Sequence, residues 1–194
     1  MRIRISYVAA LMAIGSLAFA QAAPRDNPAA AVGGKTISVE YGQPALGDRT
    51  VEGLLSKLPK DRMWRAGSEQ VTTFETAGAV MVGDKNVPAG KYSLYLHCAE
   101  DGTFSVALNE ELGQPLGKIW AAAPDNLKEE PWPHFNYQEE IGDKEVVRVS
   151  LAGGKSEEKV DRFTIKLNES GEGATMLMSW GTQTWKVGVK PASE

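Results

Sequence analysis

The chain has 194 residues, of which 42% are hydrophobic and 24% charged, with 20 glycines and 10 prolines, and this composition argues against collagen, coiled coil and global disorder. Its formal charge of −4 speaks against nucleic acid or an anionic membrane surface as the main partner. A single sandwich or barrel of this size buries roughly two thirds of its unfolded surface, so stability alone calls for no cofactor and no metal.

The chain opens with Arg2 and Arg4, runs uncharged from Tyr7 to Ala20 and reaches two overlapping A-x-A patterns, Ala18-Phe19-Ala20 and Ala20-Gln21-Ala22. That is the pattern of a secretory signal peptide over residues 1–20, and the mature chain is expected to begin at Gln21 or Ala23. The apolar run is 14 residues long, short of the roughly 20 needed to span a bilayer. No cysteine stands near the cleavage site to carry a lipid anchor. An exported protein, periplasmic or secreted and without a membrane span, is therefore expected. Loss of Arg2 and Arg4 takes the formal charge from −4 to −6.

Residues 21–35 (QAAPRDNPAAAVGGK) combine Ala, Pro and Gly without periodicity and read as a flexible leader. From Thr36 the period becomes two, and residues 36–190 read as a single β domain. Nine candidate strands follow: TISVEY (36–41), VTTFET (71–76), AVMV (79–82), KYSLYLHC (91–98), TFSVALN (103–109), EVVRVSL (145–151), DRFTIKLN (161–168), ATMLMSW (174–180) and QTWKVGV (183–189). The best helical stretch, VEGLLSKL (51–58), has Gly53 inside it and Pro59 after it. An all-β antiparallel sandwich or small barrel of about nine strands follows.

Side-chain parity predicts two hairpins. Facing Leu94, Leu96 and Cys98 against Phe104, Val106 and Leu108 leaves Glu100-Asp101-Gly102 as a three-residue loop, with Gly102 where a left-handed residue is needed. Facing Met176 and Met178 against Val187 and Trp185 leaves Gly181-Thr182 as a two-residue turn. Cys98, the only cysteine, shares its parity with Leu94 and Leu96 and reads as a buried core thiol. An internal disulfide is excluded. Between the strands, residues 110–140 hold four prolines and the aromatics Trp132, Phe135 and Tyr137. This long excursion exceeds a hairpin turn, and its aromatics favour packing over disorder.

The segments YGQPALGDRTVEG (41–53), MWRAGSEQVTTF (63–74) and VPAGKYSLYL (87–96), followed by DKEVVRVSL (143–151) and a closing strand ending in Trp180, resemble the exported bacterial family called domain of unknown function 2911. The resemblance covers about Val39 to Val189. It implies an exported, single-domain, mainly β protein and brings no established activity. Where the family usually reads W-R-T-G-A-N-E-A-T, this chain has Trp64-Arg65-Ala66-Gly67-Ser68-Glu69-Gln70-Val71-Thr72, so the usual Asn-Glu pair becomes Glu69-Gln70. The 110–140 excursion is longer than the family norm and reads as a local elaboration.

Trp64 and Arg65 stand in a polar connection between Arg62 and Gly67, where a guanidinium beside an indole can bind a carboxylate, a phosphate or a sugar edge. The competing reading gives Arg65 to buried carbonyls or a carboxylate and Trp64 to the core. Arg49, in the Gly47-Asp48-Arg49 turn, carries the same two readings. His97 and His134 lack H-x-H or H-E-x-x-H spacing, and His97 points away from Cys98, so no metal site is expected. There is no G-x-S-x-G, and Gly171-Glu172-Gly173 joins two strands and opens no helix, so it makes no phosphate loop.

Two functions compete. The first is a non-catalytic exported β-sandwich that binds a ligand or a cell-envelope protein through Arg49, Trp64, Arg65, Glu69, Trp132 and Tyr137. The second is a hydrolase-type enzyme whose site is assembled from Arg65, Glu69 and a histidine.

Overall fold

The structure, a computed structural model, describes residues 22–192, and the signal peptide expected over residues 1–20 lies outside them. Alternation along the chain produces strands where expected. In Lys35–Gly42 the side chains of Ile37, Val39 and Tyr41 all point inward and are fully buried. The elements in chain order are β1 (Arg25–Asp26), β2 (Ala29–Val32), β3 (Lys35–Gly42), α1 (Val51–Leu55), β4 (Met63–Trp64), β5 (Thr73–Thr76), β6 (Val80–Val82), β7 (Lys85–Val87), β8 (Gly90–Cys98) and β9 (Phe104–Asn109). The second half holds β10 (Gln114–Pro115), α2 (Leu116–Ile119), β11 (Pro131–Trp132), α3 (Tyr137–Glu140), β12 (Glu145–Ser150), β13 (Ala152–Ser170) and β14 (Gly173–Pro191).

Two open antiparallel sheets face each other as a sandwich, and neither closes into a barrel. The larger runs β1-β3-β5-β8-β9-β12, with β2 also on β3 and β4 also on β8, and the smaller runs β13-β14-β6-β7. Between them Ile37, Val39, Phe74, Leu94, Leu96 and Val106 meet Phe163, Ile165, Met176, Met178 and Val189 in one continuous core. The Tyr41 hydroxyl crosses that core and accepts the Ile165 N–H at 2.8 Å.

Among the described residues there are fourteen strands where about nine were expected. Four of them, β1, β4, β10 and β11, are two-residue ladders too short for alternation to reveal. Residues 21–35 are not a flexible leader throughout, because β2 forms a hairpin with β3 through Gly33-Gly34, whose φ values of +56° and +73° fit a type I′ turn. Ala30 and Val32 are buried there, and alanine is a weak marker of an apolar face.

The first expected hairpin is present. Leu94 faces Leu108, Leu96 faces Val106 and Cys98 faces Phe104, with Gly102 at φ +84° in the loop. The second is overturned. β14 runs unbroken through Gly181, and the turn lies at Gly171-Glu172, so that Met176 faces Leu167 and Met178 faces Ile165. Gly181 has the positive φ, +60°, that a turn would need, but it sits opposite Val160, where the β13–β14 register slips between Lys155 and Thr164. A positive-φ glycine serves a bulge as well as a turn.

The 110–140 excursion packs on the outer face of the larger sheet. Tyr137 and Ile141 cover Tyr95, Ala107 and Met63 in a second apolar cluster, which explains why β8 is buried on both faces. Leu112, Ile119, Trp120, Leu127 and Phe135, all within the excursion, remain exposed. No helix among the described residues is long and apolar enough to cross a membrane.

Candidate functional site

The segment 62–72 is a backbone knot between β4 and β5. Arg62, Ala66 and Glu69 all lie in the left-handed region, at φ +55°, +50° and +61°. Non-glycine residues held there cost on the order of 1 kcal/mol each and persist only when their surroundings fix them. Here the Arg62 side chain donates to the carbonyls of Cys98 and Leu55, each at 2.9 Å, and the Thr72 hydroxyl donates to the Ala66 carbonyl at 3.1 Å. Trp64 and Arg65 are thereby presented on a rigid support.

Trp64 turns toward the smaller sheet. Its ring stacks on Trp180 with centroids 5.2 Å apart and planes at 8°, and it meets Phe163 edge-on at 4.8 Å. Arg65 extends toward the excursion, with its guanidinium carbon 6.0 Å from the Trp132 ring and 5.7 Å from that of Phe135. Both separations are cation–π distances. The half-buried Arg65 makes no side-chain hydrogen bond or ion pair among the described residues. Burial disfavours its charge, while Tyr95 and Glu69 nearby act in the opposite direction.

A cavity of about 210 Å³ opens where these groups converge. Trp64 and Trp180 form its aromatic wall, Leu54, Leu55 and Leu58 its aliphatic wall, and Arg49, Arg65 and Ser68 its polar rim. The leucines belong to α1 and the residues just after it. That helix starts at Thr50, whose hydroxyl caps it by accepting the Gly53 N–H at 3.1 Å, and ends before Pro59. The Ser68 hydroxyl is buried against Gly42 without a hydrogen-bond partner among the described residues. A second cavity, of about 590 Å³, shares Pro44, Arg49 and Ser68 with the first and extends to Ala22, Ala23 and Glu69.

The sequence candidates separate into four groups. Arg49, Trp64 and Arg65 line one cavity, although Arg49 also gives Nε to the Leu46 carbonyl at 3.1 Å and Nη2 to that of Ala45. Trp132 lies beside Arg65, on the excursion's small ribbon opposite Gln114. Glu69 faces the adjoining cavity, where its carboxylate accepts the Ala23 N–H at 3.0 Å.

Tyr137 leaves the site altogether. It is fully buried, edge-on to Tyr95, with its hydroxyl accepting from Asn109 Nδ2 at 3.1 Å and donating to Glu145 at 2.8 Å. The packing that the excursion's aromatics favour is present, and it takes Tyr137 into the sheet's outer cluster rather than to a binding surface.

No hydrogen bond joins Arg65, Glu69 and a histidine among the described residues. His97 sits across from Met63 on β8, and burial lowers its pKa with help from Arg148 and Arg62. His134 turns its Nδ1 to Glu140 at 2.5 Å, and the Glu69 carboxylate accepts the Ala23 N–H, while Arg65 makes no side-chain hydrogen bond to either among the described residues. Among the described residues no three His, Cys, Asp or Glu side chains converge as a metal centre would require.

Trp180, Ser68 and the three leucines were missed as site residues. Trp180 was visible only as the end of a strand, and the Leu54-Leu55 pair only as the best helical stretch.

A family model described as "Protein of unknown function (DUF2911)" matches residues 23–189. No curated protein and no solved structure matches the chain.

Proposed function

The chain belongs to this family of unknown function, and from that premise we propose that it is a non-catalytic exported β-sandwich domain that binds a small anionic ligand with an apolar body in the Trp64–Trp180 cavity. The observation that carries this reading is Arg65, a half-buried cation with aromatic neighbours and no anionic or carbonyl partner among the described residues. Partly buried cations are normally paired, and a carboxylate or phosphate supplied by a ligand would complete this one. The adjoining indole and leucine walls favour an aryl or branched aliphatic body over a sugar, because they offer apolar surface and few hydrogen-bonding groups. A guanidinium is a donor and not a proton acceptor at neutral pH. The rim therefore supplies electrostatic capture and no general base. Export is supported by the signal pattern at residues 1–20, and the strained left-handed backbone around Trp64-Arg65 fits a preorganised site.

The test uses the tryptophans as reporters. Titration with benzoate, phenylacetate or 4-methylpentanoate should change the fluorescence of Trp64 and Trp180, while the matching neutral amides should leave it unchanged. Removing a hydrogen-bonded charge costs about 1.5–3 kcal/mol, so Arg65→Ala should weaken carboxylate binding about 10- to 100-fold. Equal responses to acids and amides, or an unaltered affinity in the variant, would overturn the reading.

A further inference from the structure

The first hydrogen bond of the described chain is made by Ala23, whose backbone N–H donates to Glu69 Oε1 at 3.0 Å. Regular structure follows at once. The Pro24 carbonyl accepts the Gln43 N–H at 2.8 Å, and Arg25 and Asp26 pair with Gly42 and Tyr41. Ala22, one residue earlier, is exposed. Among the described residues the hydrogen-bonded fold thus begins at Ala23, directly after Ala22, the last residue of the second of the two small-x-small patterns.

We propose that the Ala22–Ala23 peptide bond is where the export leader is removed, and that Glu69 then holds the newly formed α-ammonium of Ala23 as an ion pair. This rests on the export reading above and is independent of the ligand. The step is hydrolysis by a leader peptidase that reads small residues one and three positions before the cut. Water divides across the amide, its hydroxyl going to the Ala22 carbonyl carbon and its hydrogen to the Ala23 nitrogen, which takes a further proton from solvent. The Ala23 donor then becomes a cation without leaving its partner, and a charge-assisted bond is about twice as strong as the amide bond it replaces.

The surroundings suit that outcome. Glu69 holds a left-handed φ of +61° that an acidic side chain adopts at a cost, so its placement beside Ala23 is fixed by the fold. The cavity shared by Ala22, Ala23 and Glu69 leaves the new terminus open to water, which spares it full desolvation. Glu69 is the acidic side chain lining this cavity, while the guanidiniums of Arg49 and Arg162 on its wall are turned to the carbonyls of Leu46, Ala45 and Gln43. Cleavage at Ala20–Gln21 would leave an uncharged amide at Ala23 and move the positive charge by up to about 7 Å.

The chain with its own leader, expressed in a bacterium and recovered from outside the cytoplasm, should show by intact mass and N-terminal sequencing a start at Ala23. A start at Gln21 or a retained leader overturns the proposal. Chains made to start at Ala23 or at Gln21 are then compared with and without Glu69→Gln, which keeps an acceptor oxygen and removes the charge. In the Ala23 chain the α-amino pKa, read by NMR of the labelled amine, should fall by about one unit in Glu69→Gln, the low end for an opposite charge at contact distance. Acetylating Ala23 should lower Tm with Glu69 present and have less effect in Glu69→Gln. The Gln21 chain should show neither response. Equal pKa values with and without Glu69, or responses shared by both chains, overturn the ion pair.

Discussion

The indole of Trp64, on a two-residue strand of the larger sheet, lies 5.2 Å from and nearly parallel to that of Trp180 on the smaller sheet. One pair of rings thus clasps the two layers and walls the cavity beneath Arg65. Trp64→Ala should destabilise the domain by about 2–3 kcal/mol, somewhat below the usual loss for a fully buried tryptophan because Trp64 is half-buried. Urea unfolding checks the size. A loss under about 0.5 kcal/mol would mean the stack does not join the sheets.

Arg65→Ala separates binding from support. With no carboxylate to strand, the loss is the cation–π contact and the packing of the stem, about 1 kcal/mol, where a broken buried ion pair would cost about 3–5 kcal/mol. At this chain length that corresponds to a Tm drop of roughly 2–4 °C. A melting curve showing a drop beyond about 10 °C would identify Arg65 as structural.

Asn109 governs the excursion. Fully buried, it donates to the Tyr137 hydroxyl and to the Ile141 carbonyl at 2.8 Å and accepts the Glu111 N–H at 2.8 Å. Asn109→Ala removes all three bonds; the Tyr137 hydroxyl keeps Glu145 and the Ile141 carbonyl keeps the Lys144 N–H, so the Glu111 N–H is the group left without its acceptor, and the loss should be about 1–3 kcal/mol. Amide exchange is the sharper readout: protection should fall across residues 111–141 before it falls in β8 or β14. Uniform loss over the whole chain would contradict a separable excursion.

Cys98 sets an alkaline limit. Burial pushes its thiol up from an ordinary value near 9 to about 12, with Arg62 acting the other way. Above pH 9 the unfolded chain sheds this proton and the folded one retains it, so the stability that burial contributes is present below pH 9 and declines as pH rises toward 12. Cys98→Val should flatten that part of the pH profile, leaving the alkaline loss due to Tyr95 and Tyr137, whose hydroxyl pKa values burial also raises. Thiol reagents at pH 8 should label Cys98 only in urea. Rapid labelling of the native protein would contradict its burial.

Strand parity carried most of the fold. The β8–β9 register was readable because bulky residues sat at alternate positions on both strands and the loop supplied Gly102 where a left-handed residue belonged. Parity failed at Gly181, because Met176 and Met178 match two partner strands equally well and only the interruption in β13 decides between them. It failed at β2 because alanine barely marks a face. At the site, Arg49, Trp64 and Arg65 were legible as residue types, whereas Trp180 and Ser68 reach the same cavity through long-range pairing that local pattern does not encode.

The smaller sheet pairs Val82 with Val189 and Val80 with Pro191, joining chain segments roughly a hundred residues apart. A ribosome or a translocation pore delivers the N-terminal segment first, so the β6–β7 hairpin must wait, its apolar side uncovered, until the last strand emerges. Closure of the sandwich is consequently a single late event, slow by the measure of contact separation. In that interval the chain is most exposed to proteases and to pairing with neighbouring copies. A stop codon before Val189 would leave the protein in that vulnerable form permanently.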